Sequence, residues 1–242
     1  MKPKPWSHSA VECHDNCAWQ YHEKYVAKNL PPEEKSDEQN WGLYVHKQFE
    51  NYLTVKPEKI GDLVAGKSGY EMPIDLRIHE PFLQGLLKKD GILWAERQVA
   101  LSRQPFGVCA YFGPDVWWRG VLDVTIVEVE EGRATIVDHK TGKPHQKWEQ
   151  LAMSAVYTFV EHPGINLVNA QFYWTVDQTV TKKVWGRSEM DSLIGMFLPK
   201  LQAYVHSWKN DAWPKKQSGL CAGWCPVTTC EFWTEKRPRR RS

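Results

Sequence analysis

Two stretches of the chain alternate between apolar side chains and single charges in the manner of paired strands. Trp117 to Glu130 is rich in Val, Ile and Thr, and Arg133 to Lys140 continues in the same style, so both are predicted as β-strands. Glu131-Gly132 between them predicts a two-residue hairpin turn. That turn sets Asp123 directly opposite Lys140 and diagonal to Asp138, with all three on one face because side chains alternate along a strand. Diagonal neighbours lie about 7–8 Å apart, close enough for two carboxylates to share a cation. A slip of one residue would carry Asp123 to the opposite face.

Helical periodicity covers other parts of the chain. His8 to Lys28 predicts a helix ending before Pro31-Pro32, and Asp37 to Leu53 a second one with the stripe Trp41, Tyr44, Val45, Phe49 and Tyr52. His46 falls about 100° from the centre of that stripe, beside Gly42, so it borders a cleft instead of filling the core. Thr54 to Glu80 is punctuated by Gly and Pro and receives no element. Ile92 to Ser102 predicts a strand and Gln104 to Pro114 a loop. A helix from Gln146 to Val160 is expected to turn Gln150 and Tyr157 to one face, away from Trp148, Leu151, Ala155 and Phe159. Asn169 to Val176 and Lys182 to Trp185 are the last predicted strands. Ser188 with Asp191 is expected to cap a final helix reaching Trp208, kinked at Pro199. No internal repeat is visible, and the order of elements predicts an α/β fold with a mixed sheet flanked by helices.

The chemistry lies in the two central strands. Val121, Leu122, Val124, Ile126, Ile136 and Val137 make both faces apolar, yet Asp123 and Asp138 sit among them. Burying an unpaired charge is expensive, so two such carboxylates in neighbouring strands point to a bound cation. Two carboxylates with Lys140 can hold a divalent metal and position a water, an arrangement suited to phosphodiester hydrolysis.

Asp123 followed by Asp138-x-Lys140-Thr-Gly resembles the core of the PD-(D/E)XK nuclease superfamily, and more narrowly its RecB-like exonuclease branch, with His139 in the place of an aromatic residue. Gly42-x-x-x-His46-x-x-x-Glu50 resembles the helical motif that gives the branch a metal-binding histidine. Glu96 sits where the branch has an acid on the preceding strand. Gln150 to Tyr157 resembles its glutamine–tyrosine helix, although Tyr157 follows Gln150 by seven residues where four are usual. The resemblance implies a restriction-endonuclease-like core and a metal-dependent deoxyribonuclease, an exonuclease in DNA recombination, repair or phage DNA processing. It assigns Asp123, Asp138, His46 and the His139 carbonyl to Mg2+ or Mn2+. Lys140 would orient the attacking water, Glu96 would add a ligand or support one, and Gln150 would hold Lys140 or the substrate phosphate. DNA ends are the implied partner, with a helicase, recombinase or single-strand-binding protein as further candidates. A non-catalytic DNA-binding subunit on the same fold is the alternative. A metal-clamp module whose hairpin acids are surface charge is a third reading.

Five of the six cysteines cluster towards the ends of the chain: Cys13, Cys17, Cys221, Cys225 and Cys230. The start Met-Lys-Pro-Lys-Pro-Trp lacks the apolar stretch of a signal peptide and no run of 18 apolar residues occurs, so a cytoplasmic protein with no membrane span is expected. Intracellular cysteine clusters favour metal over disulfide. One subgroup of RecB-like nucleases, including CRISPR-associated exonucleases and AddB-type nucleases, holds a [4Fe-4S] cluster with one early and three late cysteines. Similarity to it assigns Cys17, Cys221, Cys225 and Cys230 as ligands stapling the termini, with zinc as the alternative and Cys13 in reserve. The late cysteines depart from the subgroup's usual spacing, being separated by three and then four residues. Cys109 reads as a core or loop thiol. The net charge of +2 is too small to argue for nucleic acid by itself, while the tail from Lys236 to Ser242 is strongly basic. Most of the thirteen tryptophans read as core, some as candidates for base stacking. Residues 1–235 are expected to form one nuclease domain: a helical part (1–90), a catalytic sheet (91–187), and a C-terminal helix with the cysteines (188–235). Residues 236–242 form the tail.

Overall fold

The computed structural model describes residues 3–31, 34–54, 70–103, 105–144 and 147–235. The basic tail, residues 55–69 of the Gly/Pro-punctuated segment, Gln104 of the expected loop and Gln146, where the third helix was expected to begin, lie outside the described residues. Contacts divide the chain into two compact units, residues 35–196 and a second formed by residues 1–34 with 197–242.

The first predicted helix is broken. Helix α1 spans His8–Asn16, helix α2 spans Ala18–Tyr21, and a short π-helix follows at His22–Val26. Cys17 stands between α1 and α2 in an extended conformation, φ −164° and ψ 113°. The second helix, α3, occupies Asp37–Leu53 as predicted, and of its stripe Val45, Phe49 and Tyr52 are buried while Trp41 is exposed. Ser36 caps it by accepting from the Gln39 amide, while the Gln39 side chain accepts from the Ser36 amide. A helix the periodicity did not reveal, α4, spans Glu80–Leu87 with Pro81 in its first turn and Leu83 and Leu86 buried.

Six strands form one mixed sheet in the order β2-β1-β3-β4-β5-β6. They are β1 Ile92–Arg103, β2 Phe106–Val108, β3 Val116–Glu128, β4 Arg133–Lys140, β5 Leu167–Trp174 and β6 Thr179–Gly186. Strand β2 forms inside the segment expected to be a loop. The β3–β4 hairpin corrects the expected register. Its turn is the four-residue Val129–Gly132, closed by the Gly132 amide donating to the Val129 carbonyl at 3.1 Å, with Gly132 at φ 61°. Glu128 therefore pairs with Arg133 and Val124 with Val137, so Asp138 rather than Lys140 stands level with Asp123. The shift is by two residues, so Asp138 and Lys140 exchange the opposing place without the face reversal that a slip of one would bring.

Helix α5, Glu149–Glu161, crosses between the parallel strands β4 and β5. Every residue from Leu151 to Phe159 is buried, so the expected division into a packed and an open face does not hold. The expected last helix is two: α6, Met190–Gly195, and α7, Leu198–Asn210, with Pro199 in the first turn of α7. Ahead of α6 it is the Glu189 side chain, not Ser188 with Asp191, that accepts a backbone amide, that of Gly186 at 2.7 Å.

In the 35–196 unit, Val45, Phe49 and Leu53 of α3 share a core with Val124, Ile126, Val137 and Tyr173 of the sheet. Phe49 is 0% exposed and meets the His139 ring edge-on at 4.9 Å. In the other unit, α1, α2 and α7 enclose polar contacts among aromatics: Tyr21 and Tyr204 hydroxyls at 2.8 Å, and His14 Nε2 to Ser207 at 2.9 Å. The same helix α3 supplies a test of where the stability resides. Phe49→Ala is expected to cost about 3–5 kcal/mol in urea denaturation, whereas Leu43→Ala, at a position 53% exposed, stays within about 0.5 kcal/mol. Equal losses would contradict the packing.

Candidate active site

Three strands bring three acids level. Ala95 pairs with Val124 and Arg97 with Leu122, which sets Glu96 opposite Asp123; the β3–β4 register sets Asp123 opposite Asp138. Asp123 and Asp138 are 8% and 5% exposed. Glu96 adopts φ 47°, a left-handed conformation that an acidic residue in mid-strand tolerates only at a cost of about 1–3 kcal/mol. That kink belongs to the strand position whose carboxylate reaches His46.

His46 is delivered by α3, and Gly42 explains how closely. A Cβ at Gly42 would meet Thr141 Oγ1 at 3.3 Å, so glycine lets the helix lie against the turn after β4. His46 Nδ1 donates to Glu96 Oε1 at 3.0 Å and stands 3.5 Å from Asp123 Oδ2, while Nε2 donates to the His139 carbonyl at 3.2 Å. Both ring nitrogens face acceptors, which requires an imidazolium. Burial opposes its charge, but the Glu96 hydrogen bond and the charges of Asp123, Glu96 and Asp138 prevail and raise its pKa to about 9. Asp123 moves the other way from most carboxylates. Burial and the charge of Asp138 lift it to about 8, against the pull of His46 and of the His139 amide, which donates to Asp123 Oδ2 at 2.7 Å.

On the other flank, Asp138 is held from β4 and α5. Lys140 Nζ lies 2.5 Å from Asp138 Oδ2, Gln150 Nε2 donates to Asp138 Oδ1 at 2.5 Å, and Lys140 donates to Gln150 Oε1 at 2.9 Å. Asp123, Asp138, Lys140, Gln150, Glu96, His46 and the His139 backbone are thus brought together. Tyr157 is not placed among them; its hydroxyl donates to Glu161 at 2.8 Å, and Glu161 also accepts both Arg97 amino groups, at 2.8 and 2.5 Å. Nothing in the sequence around Arg97 or Glu161 signals this pairing, since its partners are 64 residues apart.

The His139 ring takes the part of an aromatic. It is buried against Phe49, Phe82 and Tyr173, its Nε2 has no hydrogen-bond partner, and burial holds its pKa well below the usual value, so the ring is neutral. Its Nδ1 still lies 3.9 Å from Asp123 Oδ2. His46, Asp123 and His139 each offer a ligand atom within 4.8 Å of the others. Behind the ring, His79 pairs with the Tyr173 hydroxyl at 2.8 Å, a support that no local pattern around either residue signals.

In the terminal unit, Cys17, Cys221, Cys225 and Cys230 line one pocket, walled by Trp19, Leu220, Val227, Phe232 and Trp233. None of the six cysteines forms a disulfide. The Ser218 amide donates to Cys221 Sγ at 3.4 Å. Burial raises the Cys13 thiol to about 11 and also raises Cys225.

A mixed sheet carrying acids level across neighbouring strands, with a lysine and a helix-borne histidine beside them, defines a nuclease core. The chain belongs to the PD-(D/E)XK nuclease superfamily, whose family model matches residues 5–230. It resembles in fold a candidate exonuclease from Eubacterium rectale, with a TM-score of 0.53 at 13% identity, covering 98% of this chain and 90% of that one. The protein SSO0001 is also 13% identical over 80% of this chain and 97% of its own, with a TM-score of 0.30, too low to bear on the fold. No curated protein matches the chain. Among the described residues no helix is long and apolar enough to cross a membrane.

The two shifted groups dictate a pH dependence for the metal-free protein. His46, charged in the fold up to about pH 9, adds stability that is complete below its ordinary 6.5 and is lost as the pH rises through 9. Asp123 keeps its proton in the fold to about pH 8 when the unfolded chain has released it, so its contribution also falls with rising pH. His14, His79 and His139 are shifted down, and their contributions change only below 6.5. In chelator, Tm therefore falls between about pH 6.5 and 8, and Asp123→Asn flattens that fall. A wild-type Tm that rises across this window would contradict the assigned protons.

Proposed function

We propose that the chain is a divalent-metal-dependent deoxyribonuclease that degrades DNA from its ends, serving DNA recombination, repair or phage DNA processing. The observation that carries this reading is the level row Glu96, Asp123 and Asp138, flanked by His46 and by Lys140. The donor set fits a hard cation: carboxylate oxygens, a backbone carbonyl and one imidazole suit Mg2+ or Mn2+, the imidazole favouring Mn2+. Asp123 is the group most in need of one, since burial and the charge of Asp138 keep it protonated.

Asp123 and Asp138 would hold the ion, with His46 and the His139 carbonyl completing the set. Bound there, the ion would polarise the scissile phosphate and acidify a water. The chain's own groups do the rest. Lys140 orients the attacking water and offsets charge on the phosphorane, and Gln150 fixes Lys140 at its distance from Asp138. The His139 amide aims Asp123, and the buried ring keeps the His139 carbonyl in place. Glu96 holds His46 or joins the ligands. For Tyr157 we assign a positioning role, anchoring α5 to β1 through Glu161 and Arg97.

In the terminal unit we propose a [4Fe-4S] cluster on Cys17, Cys221, Cys225 and Cys230, in a cytoplasmic protein. The four cysteines line one pocket, and four thiolates can hold either a cubane cluster or zinc. Similarity to the cluster-bearing RecB-like subgroup favours the cluster. Joining Cys17 to Cys221 closes a long loop, worth about 4–5 kcal/mol on the chain-entropy estimate. A separate helicase, recombinase or single-strand-binding protein would supply the DNA end.

End-labelled single- and double-stranded linear DNA, with a closed circle beside them, tests the activity. Loss of linear DNA with Mg2+ or Mn2+, none with EDTA, and sparing of the circle are expected. Asp123→Ala, Asp138→Ala and Lys140→Ala should each abolish cleavage while far-ultraviolet circular dichroism stays unchanged; near-wild-type turnover in any of them sinks the assignment. DNA binding with no cleavage under any condition would leave a non-catalytic subunit.

The cluster has its own readout. Anaerobically purified protein should be brown, absorb near 400 nm and carry about four irons, and Cys225→Ala should lose the colour. Stoichiometric zinc in a colourless protein would replace the cluster with a zinc site.

A further inference from the structure

Two of the three strands that carry the acids continue well past them. Strand β4 ends at Lys140, but β1 runs on to Arg103 and β3 begins back at Val116, and the two stay paired from Gln98↔Val121 to Leu101↔Trp118. At about 3.3 Å per residue this arm extends about 20 Å beyond Asp123. Strand β2 folds back along it, with Phe106 opposite Arg103.

The arm exposes rings where a folded chain normally hides them. Phe112 is 80% exposed, and Tyr111 meets it edge-on at 4.9 Å. Phe106 is 40% exposed and lies 6.1 Å from the Trp117 ring. Guanidinium groups accompany them: Arg119 lies 5.5 Å over the Tyr111 ring, and Arg103 is exposed at the end of β1. We propose that this arm binds a single-stranded stretch of the DNA substrate, its rings stacking on bases and Arg103 and Arg119 facing phosphates; this rests on the nuclease reading.

Three observations choose that occupant. Rings interleaved with guanidinium groups are the chemistry that grips a nucleic-acid strand without regard to sequence, because every base has a flat face. The bases of a duplex are already stacked on one another, so exposed rings select unpaired ones. The arm is also continuous with the catalytic row: β1 and β3 lead from these rings to Glu96 and Asp123, so a strand lying along them is delivered to the acids.

The test measures binding apart from cleavage. A fluorescent oligothymidylate is titrated with the full chain in EDTA, at several salt concentrations. Phe112→Ala, at an exposed position whose loss leaves the core intact, should weaken binding about tenfold with the salt slope unchanged. Arg103→Gln should reduce the slope of log K against log salt by about 0.7. Wild-type affinity in both Phe112→Ala and Phe106→Ala overturns the proposal and leaves the arm as a surface for a protein partner. Turnover of thymidine 5′-(4-nitrophenyl phosphate) by the unaltered protein is measured beside it. Absence of that turnover with Mg2+ and Mn2+ counts against the nuclease reading, while the oligonucleotide titration still decides the arm.

Discussion

The burial of Asp123 beside Asp138 is the constraint around which this nuclease core is built. Charge taken out of water is costly, and two carboxylates level on adjacent strands are poorly screened from one another there. The fold answers from several directions. His46 comes from α3 to stand between Glu96 and Asp123, Lys140 and Gln150 embrace Asp138, and a backbone amide turns towards Asp123. The balance is still incomplete, since Asp123 keeps its proton to about pH 8. In the proposed function a bound cation takes the place of that proton.

That requirement explains details that packing alone does not. Glycine at 42 weakens a helix interior by about 1 kcal/mol, yet it lets α3 approach Thr141 and so sets His46 on the His139 carbonyl. His139 carries a polar ring into an apolar box and leaves Nε2 without a partner. Its edge contacts with Phe49 and Tyr173 fix the backbone whose amide and carbonyl serve the site on either side. The burial of α5 from Leu151 to Phe159 follows similarly, because a helix that sets Gln150 against both Lys140 and Asp138 must be held firmly to keep that spacing.

Much of this was legible in the sequence, and the limits have physical causes. The stripe of α3 marked its ends correctly because a long amphipathic helix repeats its signal over many turns. The two central strands and their acids stood out because charges interrupt an apolar run. The register was misjudged by two residues, since Glu131-Gly132 looks like a complete two-residue turn while the chain uses Val129 to Gly132. Helix α4 and strand β2 are too short for periodicity to reveal. Pairings such as Arg97 with Glu161 and His79 with Tyr173 join residues far apart in the chain, and no local pattern encodes them.

Two local departures from regular structure fall on residues singled out for chemistry. Periodicity asks for an unbroken helix through Cys17 and an ordinary extended residue at Glu96, and the chain grants neither. At Cys17 the extended backbone frees the thiol from the packed surface of a helix, so that it can share a pocket with cysteines two hundred residues later. At Glu96 the left-handed kink swings a carboxylate out of the strand's alternation to reach His46. Local rules yield where a side chain must be aimed instead of packed. The energy stored in such aiming is tolerable only because the surrounding sheet and helices over-determine the position.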